Sequence, residues 1–482
     1  MPDAAVQELR ERLRAAIRHT GFTTPARRIT INLAPAEVRK EGEGFNVPIA
    51  LGIGAASGAV ELPSGPTLFL GELSLGGATR HAHGVLPLVS LARANGIGTV
   101  IVPASDAPEA ALIEEVQVIR APSLLALVQH QNEEEPIPLF SRSGRPDLDD
   151  DRPVIGQDRA DVRGQEQGKR ALEVATAGGH NLVLSGSPGA GKTLLARCLP
   201  GILPSLTPDE ALDVTQIYSV AGQLPADEPL VRRRPFRSPH HTVSRAGLVG
   251  GGPSPRPGEL TLAHRGVLFL DELPEFGTHT LETLRQPLED GVVTISRAAG
   301  TTTFPARVTL VAAMNPCPCG FAGDPERACT CPDGAIRRYQ RRLSGPLLDR
   351  IHIHLTVPRV SYKDLAVGTV GGASPPPPAP GEAPGVVRAR VLAARARQTA
   401  RLVGTGQTCN AELTPAAVRD HCQTDAPAEA LLRTAMQRLH LPARGYHRVL
   451  KLSRTIADLA GADVIGAPHV AEALQYRPRL KE

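Results

Sequence analysis

Apolar positions fall into two textures along the chain. From about residue 29 to 130, short β-type runs (28–33, 67–70 and 98–103) alternate with helix-type runs (48–56 and 85–94), which predicts a small α/β domain. The stretch 131–152 is polar and acidic, with Glu133, Glu134, Glu135, Asp149, Asp150 and Asp151, and reads as a linker with little to bury. From Gly156 the texture changes. A helical segment leads into the apolar run 181–185, a glycine-rich turn and a helix starting near Lys192, and two further buried-strand runs follow at 267–270 and 308–313. A second linker, 371–384, carries the proline run 375–378 and precedes a helix-rich tail from Gly385. The predicted organisation is an α/β domain (1–130), a linker (131–152), a strand-turn-helix core (153–370), a linker (371–384) and a helical region (385–482), with no internal repeat.

Composition adds limits rather than a function. A chain of 482 residues, 41% hydrophobic and 21% charged, supports two or three domains with cores of their own. The sequence has no stretch of 18 apolar residues to span a bilayer, and its start is charged and helix-like, so a cytoplasmic protein without a membrane partner is expected. A formal net charge of +4 is too small to imply nucleic acid by itself. Seven cysteines, four of them between 317 and 331, do not fit a secreted disulfide framework and point to a metal site plus three bystanders.

The chemistry concentrates in the core. Gly186-Ser187-Pro188-Gly189-Ala190-Gly191-Lys192-Thr193 fits the phosphate-cradling P-loop pattern, in which glycines let backbone N–H groups face an anion. Lys192 is expected to reach the β- and γ-phosphates of ATP, Thr193 to offer its hydroxyl to Mg²⁺, and the following helix to point its positive end at the anion. The run 266–272 ends in Asp271 and Glu272: Asp271 would hold Mg²⁺ and Glu272 would polarise the attacking water. A third strand, 308–313, leads to Asn315, either a γ-phosphate sensor or ordinary Asn-Pro turn chemistry.

Cys317-x-Cys319 and Cys329-x-Cys331 form two tight pairs that suit a tetrahedral, structural Zn²⁺ pinning the loop after Asn315; four free buried thiols are the alternative. A β-hairpin is predicted at 292–297 and 301–308 around Ala299 and Gly300. Its Arg297 and Arg307 either meet nucleic-acid phosphates or are simply solvated. The segment 232–245 gathers Arg232, Arg233, Arg234, Arg237, His240 and His241, which suits phosphate contact or loop hydrogen bonding better than a metal. With only 3% aromatic residues, stacking platforms for bases are scarce.

These residues resemble the YifB/ComM family of Mg-chelatase-like AAA+ ATPases, whose ComM members act as DNA branch-migration helicases in natural transformation. The resemblance spans nearly the whole chain. It rests on Ile29-Thr30-Ile31-Asn32-Leu33-Ala34-Pro35, the stretches 234–241, 263–274 and 314–320, Ser344-Gly345-Pro346-Leu347-Leu348-Asp349-Arg350, and Ala443-Arg444-Gly445-Tyr446-His447-Arg448. It implies an α/β P-loop AAA+ core, an N-terminal domain like ribosomal S5 domain 2 and Lon, and an α-helical C-terminal lid. It further implies a ring, typically a homo-hexamer, that acts on branched or single-stranded DNA with recombination proteins as possible partners. Arg350 is similar to the arginine finger that completes a neighbour's site, and Arg444 to the lid's sensor 2.

His352 stands where the family usually has Asp, a change expected to retune the interface. Gly44 and Leu86 occupy the positions of Lon's nucleophilic Ser and its Lys, so proteolysis is not expected. Family members also carry further β-rich sequence before the segment that begins here, so a truncated first sheet with an exposed edge is expected. The alternative function is a chelatase-type ATPase subunit that acts on a protein partner.

Overall fold

The computed structural model describes residues 4–21, 28–32, 44–141, 162–225, 228–252, 255–297, 300–360 and 382–477. Residues 33–35, the part of the first linker from 142 to 152 and most of the second linker (371–381) lie outside them. By contact the chain divides into two units: Met1–Asp150 with Thr207–Arg233 and Arg297–Gly300, and Asp151–Leu206 with Arg234–Ser296 and Thr301–Glu482. No described helix is long and apolar enough to cross a membrane.

The first unit is α/β, as the alternating runs predict. Strands β1 (Thr67–Phe69), β4 (Thr99–Pro103) and β5 (Gln117–Ala121) form a parallel sheet in the order β1-β4-β5, while β2 (Glu72–Leu73) and β3 (Thr79–Arg80) make a small antiparallel pair. Helices Asn46–Ala56 and Val85–Ala94 coincide with the predicted helix-type runs. The first of them packs Val47 and Leu51 into one core with Ile101, Ile119, Leu124 and Leu127. Residues 28–32 form no strand, and Ile29 and Ile31 are 44% and 48% exposed. Alternating residues alone cannot make a strand without a partner to complete the ladder.

Helix Pro208–Ala221 also belongs to this unit. It opens with a Thr207–Glu210 capping box and closes at Gly222 in the left-handed region. The Ser219 hydroxyl and the Leu86 N–H both donate to the Glu109 carboxylate, at 2.6 and 2.9 Å. Burial pushes that carboxyl above its ordinary pKa, partly offset by these donors. Leu86 is fully buried, so the position where the Lon resemblance would put a lysine is part of the core.

The second unit is built on a five-stranded parallel sheet of β6 (Leu182–Ser185), β7 (Phe236–Arg237), β8 (Val267–Leu270), β11 (Thr309–Met314) and β12 (Ile353–Thr356), ordered β12-β6-β11-β8-β7. In chain order this is fifth-first-fourth-third-second. The two motif strands, β6 and β8, therefore flank β11, and all three end at one edge, where open α/β sheets bind ligands. Period-2 alternation sorts the strand residues cleanly. Leu182, Leu184, Val267, Phe269, Val311 and Ala313 face a core shared with the C-terminal helices. Val183, Leu268, Leu270, Leu310 and Ala312 face a second core with Leu343, Leu347 and Ile351.

The hairpin of β9 (Val292–Arg297) and β10 (Gly300–Pro305) buries Val293 and Ile295. Its second strand stops at Pro305, short of the predicted 308, because proline has no N–H for the ladder. The C-terminal region is helical, with helices Pro384–Arg401, Pro415–His421, Ala426–Arg438, Ala443–Leu459 and Ala467–Gln475.

Candidate nucleotide site and its cysteine loop

Strand β6 delivers residues 186–191 as a tight turn before the helix Lys192–Arg197. The glycines of this turn are held for different reasons. Gly189 and Gly191 take φ values of 78° and 90°, a region that favours glycine, whereas a Cβ on Gly186 would lie 2.4 Å from the Val357 carbonyl oxygen at the end of β12. The Gln165 amide ties the same corner together by donating to Ala190 O and Pro358 O, at 3.2 and 2.5 Å.

Lys192 is 8% exposed, and its ammonium donates to Gly186 O (2.7 Å), Ser187 O (3.0 Å) and Asn315 Oδ1 (3.1 Å). Burial lowers its pKa from the ordinary lysine value, while the nearby Asp271 and Glu272 oppose the shift. The Thr193 hydroxyl donates to Asp271 Oδ2 at 2.7 Å, and the Glu272 N–H caps Asp271 Oδ1 at 2.9 Å. Thr193 and Asp271 thus bring a hydroxyl and a carboxylate together from separate elements, a hard oxygen donor set suited to Mg²⁺. Glu272 has φ 52° and ψ 45°, a left-handed conformation that a non-glycine residue rarely takes. Its carboxylate meets His241 Nδ1 at 3.3 Å.

The structure therefore gathers Lys192, Thr193, Asp271, Glu272 and Asn315 at one sheet edge. It places the two predicted arginines apart from them. Arg350 hydrogen-bonds to Pro346 O at 3.1 Å and pairs with Glu289. Arg444 is exposed near the start of helix Ala443–Leu459.

Arg448, one turn further along that helix, closes the last resemblance motif, but no local pattern foretells its partners. It donates to Ile351 O at 3.2 Å and reaches Asp349 at 3.5 Å, which joins the C-terminal helices to the segment bearing Arg350. His352 points inward, not toward a surface: its ring packs edge-on against buried His180 at 5.1 Å, and His180 Nε2 contacts Thr455 Oγ1 at 2.7 Å. His352 therefore serves the seam between sheet and C-terminal helices.

Several predicted phosphate-binding cations are already engaged within the unit. Arg234 donates to the carbonyls of Pro204, Ser205 and Arg265, Arg237 pairs with Glu259 at 2.7 Å, and Arg307 donates to Gly406 O at 3.2 Å. Arg297 lies exposed at the end of β9.

The cysteine prediction is matched by position. The sulfurs of Cys317, Cys319, Cys329 and Cys331 lie within 4.8 Å of one another, with three Sγ–Sγ separations of 3.4, 3.5 and 3.6 Å. Zinc–sulfur bonds of about 2.3 Å imply tetrahedral edges of about 3.8 Å, so the set fits a four-thiolate shell. Backbone N–H groups of Ala322, Cys319 and Cys331 point at Cys317, Cys331 and Cys329 sulfurs. The thiols shift one another in opposite directions: the Phe321 and Thr330 N–H groups lower the Cys319 thiol, while at Cys329 and Cys331 a backbone N–H donor is outweighed by burial and the neighbouring sulfurs, which raise the pKa.

Comparison with known proteins follows the same layout. Family models described as magnesium chelatase subunit ChlI, its C-terminal part, and subunit ChlI of Mg-chelatase match residues 158–365, 381–477 and 1–106. Competence protein ComM of Haemophilus influenzae is 41% identical over 483 residues, covering 100% of this chain and 91% of the relative. The uncharacterized protein YifB of Escherichia coli is 40% identical over 484 residues, 99% of this chain and 90% of the relative. An uncharacterized protein of Mycobacterium tuberculosis is 43% identical over 479 residues, 99% of this chain and 92% of the relative.

Proposed function

The chain belongs to the YifB/ComM family of Mg-chelatase-like AAA+ ATPases, and from that membership we propose that it is an ATP-driven homo-hexameric ring that binds and remodels DNA. Its most specific form is a branch-migration helicase of homologous recombination and natural transformation. The observation that carries this reading is the full-length similarity to a competence protein, combined with a nucleotide site whose five polar side chains converge at one sheet edge.

In this reading the backbone of residues 186–191 and the Lys192 ammonium cradle the phosphates of ATP. Thr193 and Asp271 hold Mg²⁺, which neutralises charge on the phosphoryl oxygens. Glu272, held by His241, orients water toward the γ-phosphorus and takes its proton as the bond to the bridging oxygen breaks. Asn315 reads the γ-phosphate beside Lys192. Arg350 acts on the neighbouring subunit's nucleotide after exchanging its Glu289 partner, and Arg444 acts as sensor 2 from the helical lid. A structural Zn²⁺ sits among the four cysteines. Arg297 is the hairpin cation best placed to meet DNA phosphates, as it is exposed while Arg307 is engaged.

The test is steady-state ATP hydrolysis with no DNA, single strands, duplex and a four-way junction at two salt concentrations. DNA stimulation that fades with salt and disappears in Lys192→Ala supports the proposal. Hydrolysis that no DNA changes refutes it and favours the second reading, a chelatase-type subunit driving a protein partner, to which the ChlI family description points.

A further inference from the structure

The cysteine loop does more than close on itself. It begins at Asn315, whose side chain accepts from Lys192, and returns to the P-loop at two other points. Gly320, directly after Cys319, has φ 86°, and a Cβ there would lie 2.5 and 2.6 Å from Cδ and Cγ of Pro188. The loop backbone is therefore seated on the P-loop proline without room for one more carbon. Four residues on, the Asp324 carboxylate accepts hydrogen bonds from the N–H groups of Glu326 and Arg327, and the nearby Ser187 hydroxyl lowers its pKa.

Arg359, just beyond β12, pairs with Asp324 and Glu326 at 3.1 Å each and stands 5.8 Å over the Phe321 ring, while Arg327 stacks at 4.1 Å. Between Gly320 and Cys329 the segment contains no regular helix or strand. Its shape depends on the cysteine pairs at its two ends and on these few polar contacts.

We propose that a thiophilic d¹⁰ divalent cation, Zn²⁺ by chemistry, held by Cys317, Cys319, Cys329 and Cys331, sets nucleotide affinity by seating Gly320 on Pro188. The proposal rests on the nucleotide-site reading and adds a regulatory input to it. All four donors are thiols and no carboxylate joins them among the described residues, which selects a soft ion over Mg²⁺ or Ca²⁺. Without the cation, four sulfurs at these separations have no common partner, and the loop loses the closure that aligns Gly320 with the P-loop. Ligand binding then includes the free energy of re-forming that alignment, so affinity falls while the distant C-terminal helices are untouched.

The experiment measures metal content of the purified full chain by elemental mass spectrometry alongside the Kd for a fluorescent ATP analogue. One Zn²⁺ per chain is expected in the wild type. Cys329→Ser/Cys331→Ser should lose the metal and bind the analogue at least tenfold more weakly. Gly320→Ala should keep the metal yet weaken binding similarly, since the added methyl meets Pro188. The Gly320 variant also guards against a serine variant that does not fold. A metal-free wild type, unchanged affinity after metal loss, or full affinity in metal-loaded Gly320→Ala would each overturn the proposal. Failure of the wild type to bind the analogue while Zn²⁺ is present would instead sink the nucleotide-site reading, and the proposed coupling with it.

Discussion

Replacing Asp458 by Asn should cost more than any single change at the molecular surface. The carboxylate is 2% exposed and serves two guanidinium groups: Arg454 Nε at 3.1 Å and Arg401 Nη1 at 3.2 Å, with the Asn410 amide donating at 2.8 Å. Arg454 is itself 1% exposed, so it cannot turn to water. Asparagine keeps the shape but removes the charge and turns an N–H₂ group toward donors. Breaking a buried ion pair on one side costs about 3–5 kcal/mol. Arg454 retains its bond to Asp463 O at 2.6 Å, which favours the lower end of that range. At about 2–4 °C per kcal/mol for a unit of this size, a cost of about 3 kcal/mol lowers the melting temperature by roughly 6–12 °C. Thermal unfolding followed by far-ultraviolet circular dichroism measures it, with Asp463→Asn as an exposed-charge control. A shift below about 2 °C would refute the claim that this carboxylate holds the C-terminal helices together.

Three further outcomes follow from the site. His241→Ala should lower kcat about tenfold with little change in KM, because it frees the Glu272 carboxylate without touching the P-loop; an equal loss in KM would contradict that placement. Arg350→Ala and Lys192→Ala should each be inactive alone, yet recover part of the ATPase rate when mixed, since one supplies intact sites and the other intact fingers. No recovery across mixing ratios would exclude action in trans. His264 accepts from the Arg307 N–H at 3.0 Å, and burial, followed by Arg265 and Arg307, lowers its pKa from 6.5 to about 3. The unfolded chain therefore takes up this proton first, so stability is full above pH 6.5 and falls progressively toward pH 3. Urea midpoints across that window should fall less steeply in His264→Asn, which keeps an acceptor but does not titrate.

What could be read in the sequence was whatever chemistry is contiguous. The strand, turn and helix around Lys192 occupy one short stretch, so periodicity and glycine spacing located them together. The Cys317–Cys319 and Cys329–Cys331 pairs were legible for the same reason. Residues that meet across long separations were not: Arg448 beside Asp349, His180 beside His352, and Gln165 beside Pro358 become neighbours only once the sheet is assembled. For the cations around 232–245 the sequence leaves phosphate contact and loop hydrogen bonding both open. A run of arginines looks like a binding patch in one dimension, but Arg234 is satisfied by three backbone carbonyls and Arg237 by a carboxylate. The helix Pro208–Ala221 lies between P-loop and β7 in sequence, yet packs in the first unit, a placement that no local pattern encodes.

Gly186 changes what a P-loop motif can tell a reader. Its missing side chain is demanded by the Val357 carbonyl of the neighbouring strand, whereas Gly189 and Gly191 are demanded by the turn that faces the phosphates. A descendant that had given up ATP would be free to replace the latter two but would still need the first to close its sheet. The opening glycine is therefore a fossil of the fold, and only its two successors bear witness to the ligand.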